Sequence, residues 1–379
     1  MRLCKIISFI LIFYLFGSGY TNAEEYTSII NEQKNTLGIA ELLKESEKYT
    51  NDIFDDMNLS EVLEEAVKGK VDNARIMKGT LKIFGNEITD CITLLCSIIV
   101  IVIINSILNC VTDGLENKSV GKVAYYVQFI LIVTVMVGNF SKIISSVKDS
   151  VNNMVAFTNM LIPILIALVI TTGNITTATI IQPIIIFITT LIGNFINYIA
   201  IPILLVSTAL GIISKISDKV QVDKLAKKLM SGTTWIIGII LTIFVTVISI
   251  DSSLTGSVDA VTSKTSKAVV SSLVPVVGKI LGDAVDSVIG CSNILKNALG
   301  TLGVIIIIGI GLVPIVKLLL LMAAYHITAA VCEPIADSKI VKLLEQMGNT
   351  FKQLMAFMCS MTVVIIVGTT IVIKISSSG

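Results

Sequence analysis

Charge is what this chain has little of. Only 15% of its 379 residues are Asp, Glu, Lys or Arg, against roughly 25% in a typical soluble domain. Between Ser150 and Ser214 there is not one. The net charge of +1 gives no reason to expect nucleic acid as a partner. Histidine is scarcer still: His326 is the single one, and the cysteines are scattered at positions 4, 91, 96, 110, 291, 332 and 359. One His with scattered Cys makes no metal site. Because most of those cysteines lie in or beside apolar runs, they read as small core residues and not as a disulfide framework. No phosphate loop of the GxxxxGK[ST] type occurs, so an ATP-driven step would belong to another subunit. Glu333 and Asp337, four apart beside Pro334, read as the border or cap of a helix. The expectation is therefore no enzyme and no cofactor.

What is present is apolar sequence, 54% of the chain, in a telling order. Arg2 and Lys5 precede an apolar core at 6–16 and a small-residue end at Thr21, Asn22 and Ala23. That is the layout of a signal peptide, 1–23, with an uncleaved anchor as the alternative. An acidic segment follows at 24–91. Its stretch from Glu24 to Asp90 holds fifteen Asp or Glu against eight Lys or Arg. Apolar residues recur at helical spacing through Leu59, Val62, Leu63, Ala66 and Val67, and again through Met77, Leu81, Phe84 and Ile88. With so few large apolar side chains, these helices must lean on something else.

A membrane span takes roughly 20 apolar residues. Runs at 92–111, 124–141, 235–250 and 354–373 meet that length. The uncharged block at 150–214 would make a helix of about 98 Å, so it must turn back, with breaks expected at Gly173-Asn174 and between Gly193 and Pro202. Three spans result, near 157–172, 179–196 and 198–214, the last two short and closely joined, with a broken helix pair as their alternative. A further run, 302–332, with Pro314 and the single charge Lys317, supplies the eighth span plus an interfacial helix. The fold class is thus an all-α polytopic membrane protein of about eight transmembrane helices. Its parts are a bundle of six spans at 92–250, an extracytoplasmic region at 251–300, and two last spans at 301–379 joined by a cytoplasmic helix. A seven-span count moves only the C-terminus.

Orientation follows from lysines. The 215–231 loop carries Lys215, Lys219, Lys224, Lys227 and Lys228 against Asp218 and Asp223, the strongest positive-inside signal in the chain. With the leader exporting 24–90, alternation puts this loop and 326–352 in the cytoplasm, and 251–300 outside. That outer region reads as two amphipathic pieces joined near Pro275 and Gly278. They form either a re-entrant hairpin lining a pathway, with Lys279, Gly282, Asp283, Asp286 and Gly290, or helices on the membrane surface. Asn105, Asn194 and Asn197 are expected to bond between helices, as is Asn159. Pro163, Pro183, Pro202 and Pro314 are expected to kink helices or free carbonyls. Lys317 is expected to snorkel toward the inner surface.

The leader, the acidic exported segment, the 215–228 lysine loop and above all SLVPVVGKILGDAVDSVIG at 272–290 resemble the stage III sporulation protein AE family, over nearly the whole chain. The resemblance implies a multi-pass protein of the mother-cell membrane around a developing forespore. It further implies a place in a secretion-like channel apparatus, with companion stage III sporulation proteins that include a separate ATPase and ring-forming proteins. It carries over no catalytic residue. On that basis the expected role is a membrane platform or permease-like core. A passive assembly scaffold is one alternative. An autonomous transporter of a small metabolite is another, resting on apparent breaks at 180–214 and 302–325.

Overall fold

The computed structural model describes residues 32–34, 36–50, 59–68, 85, 88–89, 91–93, 95–104, 106–107, 118–216, 222–254 and 277–375. The expected signal peptide, most of the second amphipathic piece at 74–88, and Asn105, Lys219 and Pro275 lie outside them. Regular structure among the described residues is helical throughout. Two short helices, α1 (Ile39–Thr50) and α2 (Leu59–Val67), precede the rods α3 (Lys118–Thr171), α4 (Ile175–Phe195), α5 (Ile201–Ile216), α6 (Asp223–Leu254), α7 (Val277–Cys332) and α8 (Ser338–Lys374). A shorter apolar helix occupies Cys91–Ile104.

α8 is the axis of the bundle. It touches α7, α3, α4, α5 and α6, and Leu343, Leu354, Met358, Met361 and Ile365 along it are at most 1% exposed. Its start is capped by Asp337, whose Oδ1 accepts from the Lys339 N–H at 2.8 Å. This satisfies one of the free donors of the first turn. The 333–337 turn before it lays α7 and α8 side by side as a hairpin, with Tyr325 against Phe351 and Gly300 against Ile373. α3 runs parallel to α8, because Phe140 meets Phe351 and Met154 meets Thr362. α4 and α5 run opposite, because Gly368 faces Ile185 and Thr350 faces Thr208.

One expected turn is made. After Thr171 the chain reverses at Gly173, whose φ of 89° suits glycine, while the Thr171 and Thr172 hydroxyls donate to the carbonyls of Leu168 and Val169. The second expected turn is not made. From Gly193 to Pro202 the chain stays helical, passing through a π-turn at Ile196–Ala200 in which the Ile201 N–H reaches the Ile196 carbonyl. Pro202 has no N–H for the Tyr198 carbonyl and its ring would press on that oxygen, and a wider turn relieves both at once. α4, the π-turn and α5 are therefore one rod, not the two spans 179–196 and 198–214.

The spans expected at 124–141 and 157–172 are likewise one helix, α3. Lys142, Lys148 and Asp149 end an apolar run, yet none of them interrupts the backbone hydrogen-bond ladder. The 251–300 and 301–379 regions also meet inside a single helix, since α7 passes Gly290 and Gly300 without a break. The breaks that would have supported a transporter are absent: 180–214 and 302–325 are helical throughout. Among the described residues, five helices are long and apolar enough to cross a membrane: Phe129–Thr171, Ile175–Lys215, Lys224–Val247, Ser287–Cys332 and Ser338–Lys374.

Candidate packing and interface residues

Lipid tails are as apolar as leucine, so bundle cohesion in a membrane rests on close packing and interhelical hydrogen bonds. Both are present. A Cβ on Gly193 would lie 2.5 Å from Val155 Cγ2, and one on Gly303 would lie 2.5 Å from Leu161 Cδ2. These two glycines let α4 and α7 approach α3 backbone-close.

The polar contacts form a seam between the helices, two of them on α8. Thr208 Oγ1 and Thr350 Oγ1 are 3.3 Å apart between α5 and α8. One turn on, Gln353 donates to the Met230 carbonyl of α6 at 3.2 Å and also bonds Thr234. Ser207 donates to the Ala226 carbonyl at 2.7 Å, closing α5 on α6. Farther along, the Asn197 amide donates to Asn152 Oδ1 at 2.7 Å between the π-turn and α3.

Taking the end with the 333–337 turn as the lower one, the antiparallel pairings assign the rest. Gly211 abuts Gln346, so the end of α5 with Lys215 and the start of α6 with exposed Lys224, Lys227 and Lys228 lie low. Gly300 abuts Ile373, so the N-terminal part of α7 lies high. There Gln33 donates to Ser292 Oγ at 2.8 Å. α2 packs on α7, with its Leu59, Val62 and Leu63 each at most 3% exposed. The acidic segment thus leans on α7, and its Gln33 does so at the end opposite the lysines.

The residues singled out from sequence fall in several places. Gly278, Lys279, Gly282, Asp283 and Asp286 lie on the first turns of α7, with their side chains outside the described set, and Gly290 follows on the same helix. Pro163, Pro183 and Pro314 sit inside α3, α4 and α7. Asn194 points outward from α4, whereas Asn197 is buried. Lys317 is half-buried in α7. Sequence reading missed Asn152, Gln353 and the Thr208–Thr350 pair, as well as Lys296, which is 1% exposed on α7. Among the described residues no group of three metal-ligating side chains gathers.

Against this geometry, the family model described as stage III sporulation protein AE matches residues 57–376, α2 and the entire bundle. The chain belongs to the stage III sporulation protein AE family. It is also 30% identical over 283 residues to the stage III sporulation protein AE of Bacillus subtilis (strain 168), covering 73% of this chain and 71% of that protein. No solved structure matches. A stage III sporulation protein AE is a sporulation protein, and the five long apolar helices make this one a multi-pass membrane protein.

Proposed function

We propose that the chain is the membrane platform, or permease-like core, of a secretion-like channel apparatus between mother cell and forespore. It would lie in the mother-cell membrane with its mature N-terminus in the intermembrane space. The observation that carries this reading is the polarity of the bundle. Lys215, Lys224, Lys227 and Lys228 share one end with the 333–337 turn, while Gln33, in the acidic N-terminal segment, meets α7 at the other.

The positive-inside rule then supports a cytoplasmic lower end and an upper end facing the intermembrane space. Six crossings replace eight: the apolar run containing Cys91–Ile104, then α3, the α4–α5 rod, α6, α7 and α8. Two pairs of expected spans merge, so two crossings vanish and every downstream side is unchanged. The acidic helices and the first turns of α7 face the companion proteins in this arrangement, and the lower end faces a separate ATPase.

A passive scaffold draws support from the seam itself, because Asn197, Gln353 and Thr208 are engaged in interhelical bonds. Substitutions at Pro275, Gly278 and Asp283 separate the two readings. A platform that conducts should keep the companions assembled while transfer of a small fluorescent tracer between mother cell and forespore fails. Assembly and transfer that always fail together favour the scaffold. Topology is tested with reporter fusions at Ser60, Asp223, Ser266 and Lys342. Cytoplasmic signals are expected at Asp223 and Lys342 alone, and an external signal at Asp223 defeats the arrangement.

A further inference from the structure

α3 carries about 65 Å of helix from Phe129 to Thr171, more than twice the roughly 30 Å of a bilayer's hydrocarbon, so its neighbours must show where the bilayer lies. Uncharged stretches bounded by charge do so on three rods: Lys228 to Asp251 on α6, Lys296 to Lys317 on α7 and Lys352 to Lys374 on α8. Each is about 30 Å long. They are level with one another, because Gln353 bonds the Met230 carbonyl at the lower ends of two of them and Gly300 abuts Ile373 at the upper ends of α7 and α8 stretches. α3 is tied into this layer by Phe140 against Phe351 just below it, Met154 beside Gly311 and Thr362 in its middle, and Leu161 beside Gly303 toward the top. Lys142 therefore stands at the lower edge, Asp149 about 10 Å inside and Asn159 about 26 Å above Lys142.

Across that depth, from Ser141 to Met160, every exposed residue of α3 is polar: Ser141, Lys142, Ser145, Asp149, Asn152 and Asn159. Their spacing puts them on one helix face, with half-buried Ala156 among them. At the same depth α6 shows Trp235, Ile239 and Ile243. Asn159, expected from sequence to bond between helices, points outward and makes no side-chain hydrogen bond among the described residues, and Asp149 makes no ion pair there. Pro163 brings no N–H to the Asn159 backbone carbonyl, so a further acceptor opens beside that side chain.

We infer that this face of α3 lines a water-filled passage through the bilayer. Lipid does not suit it, since charges at membrane depth face a bundle interior or a water-filled cavity, and Asp149 faces away from its own bundle. A dry protein surface would have to bring a cation for Asp149 and separate partners for the Asn159 carboxamide and the free carbonyl, all along one stripe. Water is donor and acceptor at once and serves every one of them. The bundle's own axis offers no such route, being filled by Leu354, Met358, Met361 and Ile365. One copy thus supplies one wall, and other chains of the assembly close the rest. The inference rests on the permease-like reading and deepens it by naming that wall.

Single cysteines at Ser145, Ala156 and Asn159, in full-length protein with its native cysteines replaced by alanine, are treated in opened native membranes with a small, charged, membrane-impermeant thiol reagent. Asn152 stays in place because it holds Asn197. The references are Trp235→Cys and Ile243→Cys on α6, at matching depths, where the native side chains are 71% and 53% exposed. The three stripe cysteines should react roughly tenfold faster than the references or more, because the thiolate is the reacting form and it forms where water reaches. If the cysteine-free chain fails to accumulate, the same labelling is done on the native-cysteine background with the parent as blank. Stripe cysteines no faster than the references, or reaction at Ser145→Cys alone near the lower edge, overturns the inference. Transfer of a small tracer between mother cell and forespore, measured on the labelled protein, tests the channel reading separately. Stripe cysteines that react without slowing transfer uphold the wet wall and count against conduction along it, whereas protected cysteines with normal transfer overturn the wall and leave the channel reading standing.

Discussion

The Asn197 side-chain amide donates to Asn152 Oδ1 at 2.7 Å and ties the π-turn to the middle of α3. The other amide atom of Asn197, Oδ1, is buried and has no partner. This contact joins the two arms of the first long hairpin well away from its turn at Gly173. It therefore sets how the arms are aligned, as well as how firmly they adhere.

Replacing Asn152 by alanine leaves the Asn197 amide without its acceptor. The expected cost is about 0.6–2 kcal/mol, the range for intramembrane hydrogen bonds. Unfolding of the full chain in bicelles checks it. A change within 0.2 kcal/mol of the parent, an order-of-magnitude threshold well below that range, would show the bond to be incidental.

Gly303 tests close packing. Its Cβ position falls 2.5 Å from Leu161 Cδ2, and Leu161 is itself fully buried. Gly303→Val should reduce folded protein sharply, since overpacking costs typically 1–3 kcal/mol and the leucine has nowhere to move. Adding Leu161→Ala should restore much of the loss. Folded yield by size-exclusion in detergent reads both, and failure of the second substitution to help would place the strain elsewhere.

α6 is the most lightly held rod, with 17% of its most apolar stretch buried against 56% for α8. Gln353 bridges it to the axis through the Met230 carbonyl and Thr234. Gln353→Leu should raise amide hydrogen exchange in α6 while leaving α7 unchanged. Equal acceleration in both helices would mean that the residue supports the bundle as a whole.

The class of fold was legible because apolar runs and lysine placement are local signals. The turn at Gly173 was legible because glycine there follows three apolar turns and sits among threonines that can close on their own helix. Asp337 was readable as a border residue for similar reasons. The rods were not. Lys142, Lys148 and Asp149 looked like a boundary because charge ends a hydrocarbon crossing, but a helix ladder is indifferent to it, so α3 continues. Pro202 looked like a break because proline ends most helices, and the π-turn absorbed it instead. The seam was hidden for another reason: Thr350, Gln353 and Asn152 gain their meaning from helices more than a hundred residues away or from the opposite arm of a hairpin, and no periodicity records that.

The π-turn also acts as a phase correction. Down the outer face, Ile180, Pro183, Phe187, Leu191, Asn194 and Tyr198 keep step with 3.6 residues per turn, and beyond the π-turn the exposed Val206 and Ile213 fall one residue later than that beat. The surplus residue sits within Ile196–Ala200. Deleting one residue inside that window should return an ordinary α-helix with both halves of the rod still facing as they do. The same deletion at Leu191 would turn everything between it and the window by about 100°, carrying Asn194 off the outer face. Two one-residue deletions a couple of turns apart thus have opposite consequences, because the bundle keeps its registry by angle and not by residue count.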